Sequence, residues 1–120
     1  MKPSHHSSLE HLFHATKWSW QGLKAAWQHE QSFRIEVVAS FGIIPLAFYL
    51  GETPVECVLL LTTWMLVLVV ELLNSGIEAT IDRISTEHHE LSERAKDLGS
   101  AAVFLCNIMW ISTWFLILVS

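Results

Sequence analysis

A chain of 120 residues leaves room for one domain. Hydrophobic residues make up 52% of it and charged residues only 16%, whereas soluble domains carry about 25% charge. That surface is too poor in charge for a water-soluble monomer and fits a protein whose solvent is partly lipid, while a net charge of −5 argues against the basic face of a nucleic-acid binder. Disorder, collagen, coiled coil and a disulfide scaffold are excluded by the same composition. Cys57 and Cys106 both stand among apolar residues and read as small core residues. Residues 1–30 contain no continuous apolar run, so no secretory signal is expected and insertion falls to the spans themselves.

The first predicted element is an amphipathic helix over 7–29. Ser7 with Glu10 three residues on fits a capping box. Leu9, Leu12, Phe13, Thr16, Trp20, Leu23 and Trp27 then recur at steps of three and four, within one sector of about 100°. Lys17, Gln21, Lys24 and Gln28 lie to one side of that sector. The pattern predicts an interfacial helix on the inner leaflet, with Trp20 and Trp27 at headgroup level. Trp18 points nearly opposite, on an edge with His11, Ala25 and His29, as either a packed aromatic or a stacking surface for a cytoplasmic ligand.

Three spans follow. Residues 37–50 are uncharged, so span one is expected over 33–50, with 33–36 at its entrance and Pro45 placed to kink it. The unbroken apolar run at 58–70 is only 13 residues, short of the roughly 20 needed to cross. Span two must therefore run over about 55–82 and draw Glu71 to the membrane edge. Residues 98–120 hold 23 residues without a charge and form span three. Lys and Arg number four in 1–34, none in 51–56 and three in 82–97. That alternation predicts a cytoplasmic N-terminus, a cytoplasmic loop over 83–97 and an outer C-terminus. Cys57 and Cys106 then sit near opposite membrane faces, too far apart to bridge.

The carboxylates carry the chemistry. Glu71, Asn74, Glu78 and Asp82 form a polar stripe on one face of span two, beside Ser75. Ionisable groups at the membrane edge are costly and mark a site, a pathway or a pair; Glu78 and Asp82 also fit a solvated helix end. Two carboxylates with an Asn between them suit a hard cation such as Mg²⁺. Glu30, between the surface helix and span one, offers a third carboxylate at similar depth. His88 and His89 are adjacent, do not share a helix face and read as solvated, as do His5 and His6. Lys96-Asp97 brings a phosphate-seeking cation and a carboxylate to the inner surface. The five glycines are isolated, with no phosphate-cradling loop, so any ATP must be held by metal and side chains.

Two stretches carry a resemblance. One is Glu71-Leu72-Leu73-Asn74-Ser75-Gly76-Ile77-Glu78, followed by Asp82-Arg83-Ile84, His89-Glu90-Leu91-Ser92 and Arg94-Ala95-Lys96-Asp97-Leu98-Gly99-Ser100-Ala101-Ala102. The other is Trp20-x-Gly22-Leu23-x-Ala25-Ala26-Trp27-x-x-Glu30-x-x-Phe33-Arg34-x-Glu36. Together, from about residue 15 to the end, they resemble the prokaryotic diacylglycerol kinase family. Gly99-Ser100-Ala101-Ala102 is similar to the diacylglycerol branch rather than the related undecaprenol kinases.

The resemblance implies an all-α, homotrimeric membrane bundle at the bacterial inner membrane, with active sites between subunits on the cytoplasmic side. It implies transfer of the ATP γ-phosphoryl group to the primary hydroxyl of diacylglycerol. Glu71 is then the general base, and Glu30 and Glu78 hold Mg²⁺ on the nucleotide. Trp18, His89, Lys96 and Asp97 join them in binding ATP. Trp20, Lys24, Trp27, Arg34, Glu36 and Ser100 fall, with Glu71, on the lipid side. The sequence departs from the family at His11, where Arg is expected, and at Trp18, where Tyr is usual; the second keeps an aromatic. Undecaprenol as substrate and a non-catalytic or ion-conducting oligomer are the competing readings. Spans one and three supply little polar lining for a pore.

Overall fold

The computed structural model describes residues 8–120, and every described element is helical: α1 Ser8–His29, α2 Gln31–Leu50, α3 Pro54–Ile84 and α4 Glu90–Val119. The Ser7–Glu10 capping box, His5 and His6 lie outside the described residues. Helices α2, α3 and α4 are each long and apolar enough to cross a membrane. At 1.5 Å per residue α3 is about 46 Å long, which exceeds a hydrocarbon core of about 30 Å.

Each break between helices has a local cause. Glu30 adopts an extended backbone (φ −117°, ψ 108°) between α1 and α2. The Arg34 guanidinium reaches back over this hinge and donates to the carbonyl oxygens of Trp27 at 2.8 Å and Gln28 at 3.2 Å. It thereby caps the end of α1, where carbonyls lack helical partners. Between α2 and α3, the Thr53 hydroxyl accepts from Glu56 N–H at 3.2 Å and Pro54 opens the helix. Gly51 is packed so closely there that a Cβ would meet Cys57 and the Ala47 carbonyl. Helix α2 continues through Pro45 without interruption.

The helices reach past the uncharged stretches of the spans, most of all at α4. It begins at Glu90 rather than 98, because His89 Nδ1 accepts from Leu91 N–H at 3.0 Å and caps it. Glu90 and Glu93 in the first turn favour that start electrostatically. Helix α3 likewise runs to Ile84, so only 85–89 of the expected loop over 83–97 is non-helical. Charge marks where a span leaves the membrane, and a helix need not stop there.

Tryptophans hold the bundle together. Trp64 and Trp110 meet edge to face with ring centroids 5.0 Å apart, and Trp110 meets Trp114 in the same way at 6.2 Å. Each indole N–H has an acceptor: Ser40 Oγ for Trp64 at 2.8 Å, Asn107 Oδ1 for Trp110 at 3.0 Å, and the Leu60 carbonyl for Trp114 at 3.0 Å. Unsatisfied donors cost several kcal/mol in a bilayer. At the other end Ala26, Phe33, Trp64 and Leu68 form one buried cluster, which seats the end of α1 on α2 and α3. The carboxylates lie beside this junction.

Candidate functional site

The polar stripe of α3 is half-buried at Glu71, Asn74, Ser75 and Glu78, and emerges at the exposed Asp82. The extended residue Glu30 and the early α2 residue Glu36 are also half-buried. Both are brought into electrostatic range of Glu71, as is Glu78 one face-length along α3. Glu71 therefore has like-charged partners on the α1–α2 hinge, on α2 and on its own helix. Asn74 Nδ2 donates to Glu78 Oε1 at 3.3 Å, while Asn74 Oδ1 and Glu36 Oε1 are buried without a hydrogen-bond partner.

Like charges within that range repel one another, and a nearby cation relieves the repulsion. Among the described residues no three His, Cys, Asp or Glu side chains come together as a metal cage. The donor set still fits Mg²⁺, which takes oxygen ligands and is commonly held by one or two carboxylates plus substrate phosphates and water. His88 and His89 do not join it. His88 Nε2 pairs with Glu93 Oε2 at 3.4 Å, and His89 caps α4.

The remaining predicted site residues fall into groups. His89, Lys96 and Asp97 line a polar cleft of about 330 Å³ with Asp82, Ser85 and Ser92, where the C-terminal end of α3 meets the N-terminal end of α4. Lys96 Nζ donates to Asp82 Oδ1 there at 2.9 Å, bridging the two helices. Trp20, Lys24 and Trp27 line an apolar groove of about 410 Å³ with Leu23, Phe33 and Val37. Glu30 and Ser75 face a third cleft, of about 630 Å³, between α1 and α3. Trp18 stacks on His14 with ring centroids 5.5 Å apart, Ser100 is exposed on α4, and Arg34 is engaged with the end of α1.

Two relationships join separate helices and are not encoded by spacing along the chain. The proximity of Glu36 to Glu71 depends on α2 packing against α3, not on spacing. Gly99 is buried on α4 directly against Asn74, where a Cβ would overlap the Asn74 side chain. A glycine in a helical span was the one available hint.

Comparison with known proteins completes the picture. The family model described as prokaryotic diacylglycerol kinase matches residues 17–118. A Haemophilus influenzae protein named diacylglycerol kinase is 51% identical over 108 residues, covering 87% of this chain and 92% of its own length. The Escherichia coli K12 protein of the same name is 48% identical over 107 residues, with 89% of this chain and 88% of its own covered. One from Pseudomonas aeruginosa is 44% identical over 112 residues, with 93% and 91% covered. With its polar α3 stripe, its Lys96-Asp97 pair and nearly its whole length inside that match, the chain belongs to the prokaryotic diacylglycerol kinase family.

Proposed function

We propose that this protein is a membrane-embedded kinase that transfers the γ-phosphoryl group of ATP to the primary hydroxyl of 1,2-diacylglycerol, giving phosphatidate at the inner membrane surface. One observation carries the reading. Glu71 sits among Glu30, Glu36 and Glu78, on a helix whose inner end reaches the cleft lined by Lys96 and Asp97.

Phosphoryl transfer depends on positioning and charge neutralisation. Glu30 and Glu78 would hold Mg²⁺, which when bound would supply positive charge against the nucleotide phosphates. Lys96 adds a second cation, Asp97 and His89 orient the nucleotide, and Trp18 offers it an aromatic face. The lipid lies along the apolar groove of Trp20, Lys24 and Trp27, with Arg34, Glu36 and Ser100 on its side of the site. The Glu71 carboxylate takes the hydroxyl proton as the oxygen bonds to Pγ. The bond from Pγ to the β-phosphate oxygen breaks, and ADP leaves. Glu71 then returns its proton to water.

The site belongs to a homotrimer in this account. Leu59, Thr62, Leu66, Val69, Leu73 and Gly76 follow alternating steps of three and four along α3, and all are exposed in the single chain. That spacing supports left-handed packing against further copies. The exposed Leu9, Leu12, Phe13, Trp20 and Trp27 support α1 as an amphipathic helix in the cytoplasmic leaflet. The N-terminus is then cytoplasmic and the C-terminus outside.

ATP-dependent phosphorylation in mixed micelles, with diacylglycerol and undecaprenol offered separately, tests the reading. Phosphatidate formed with diacylglycerol preferred is the expected result. Undecaprenol preference would move the substrate within the family, and phosphorylation of neither lipid would favour a non-catalytic oligomer.

A further inference from the structure

Asn74 is constrained from two sides. Its amide must present nitrogen to the Glu78 carboxylate, because two oxygens facing each other would repel and only the NH₂ group donates. The 3.3 Å bond from Nδ2 to Glu78 Oε1 therefore fixes Oδ1 on the opposite side. There Oδ1 is buried, lacks a conventional partner, and rests against the backbone of Gly99 on α4. The position of the missing Gly99 side chain is the position Oδ1 occupies. A glycine Cα–H pointing at a carbonyl oxygen makes a weak favourable contact that recurs between closely packed helices. Any larger residue removes that contact and claims its space. The next neighbour, Ile77 Cδ1 at 3.6 Å, is at ordinary packing distance, so Asn74 alone would have to move.

Resting on the kinase reading above and deepening it, we propose that Gly99 is a positioning residue for the metal-binding carboxylate: its missing side chain leaves the space in which Asn74 turns its amide toward Glu78. Gly99 touches no substrate. It acts through Asn74, and Asn74 acts on the orientation of Glu78. A methyl group at 99 rotates Asn74 away and frees Glu78 to adopt rotamers that do not face the nucleotide.

The test uses the full-length protein in detergent–lipid micelles and reads Mn²⁺ binding by electron paramagnetic resonance, with a non-hydrolysable ATP analogue present and no lipid substrate. Gly99→Ala is expected to weaken Mn²⁺ binding about tenfold or more, the loss expected for a hydrogen bond to a charged group, with thermal unfolding of the oligomer changed little. In an Asn74→Ala background, which removes both the clash and the bond, Gly99→Ala should add nothing. Wild-type affinity in Gly99→Ala, or equal weakening in both backgrounds, overturns the proposal. Should Gly99→Ala fail to fold, recovery of folding by Asn74→Ala supports it and failure of both variants overturns it. Because no lipid hydroxyl takes part, the result stands apart from the phosphorylation assay that tests the kinase reading. Absence of Mn²⁺ binding by the unaltered protein would overturn the metal role of Glu78 and this proposal with it.

Discussion

Lys96 on α4 donates a 2.9 Å hydrogen bond to Asp82 near the C-terminal end of α3, joining two positions 14 residues apart across the short 85–89 connection. Both side chains are substantially exposed, 44% for Lys96 and 59% for Asp82. An exposed pair of this kind contributes at most about 1 kcal/mol to stability. Its value lies in holding the ammonium group at the mouth of the polar cleft.

The two partners should therefore separate in a kinetic assay. Lys96→Ala removes the cation that the proposed reading sets against the ATP phosphates, and is expected to raise the KM for ATP by roughly 10-fold or more, as for loss of a charged hydrogen bond. Asp82→Asn keeps the ammonium and should change that KM by no more than about fivefold, the equivalent of an exposed ion pair. Steady-state rates against ATP concentration check both. Equal effects from the two variants would make the ion pair itself the functional element.

Trp114→Phe keeps an aromatic ring against Trp110 but removes the N–H that donates to the Leu60 carbonyl at 3.0 Å. Stability should fall by about 1 kcal/mol, the typical net value of one hydrogen bond, with lipid phosphorylation unchanged. Reversible unfolding in mixed micelles followed by circular dichroism measures the first, and the micelle assay the second.

Glu78→Gln retains shape but removes the charge of the proposed metal ligand. Higher Mg²⁺ concentrations should be needed for half-maximal rate, and nucleotide affinity should drop with it, because the two bind together. Titration of activity against Mg²⁺ at fixed ATP reads this directly. An unchanged Mg²⁺ dependence would remove Glu78 from the metal site.

Much of this organisation was legible along the chain, for reasons that particular residues make clear. The carboxylate stripe of α3 could be read because Glu71, Asn74 and Glu78 share one helix face at steps of three and four. The need to reach past Glu71 followed from membrane thickness alone, and α3 indeed runs from Pro54 to Ile84. Helix α4 starts eight residues before the uncharged stretch at 98, since hydropathy sees where apolar residues begin and not where His89 caps a helix. Convergence of Glu36 on Glu71, and of Gly99 on Asn74, depends on helix packing. No periodicity within one helix encodes a neighbour on another. The tryptophan ladder was hidden for the same reason: Trp64 and Trp110 are 46 positions apart.

The central claim is that Glu71 takes the proton from the lipid hydroxyl. It lies seven residues from Glu78 along α3, about 10 Å by the helical rise, on the side where the proposed reading brings the lipid hydroxyl rather than the nucleotide phosphate. Glu71→Gln preserves shape and hydrogen bonding but cannot accept the proton. The direct measurement is single-turnover phosphorylation of diacylglycerol by this variant, paired with binding of Mg²⁺ and a non-hydrolysable ATP analogue. The account predicts a rate lower by roughly 10²-fold or more, as for loss of a general base, with nucleotide binding and oligomer assembly intact. Normal turnover in Glu71→Gln, or a loss explained entirely by failure to bind nucleotide, would contradict it.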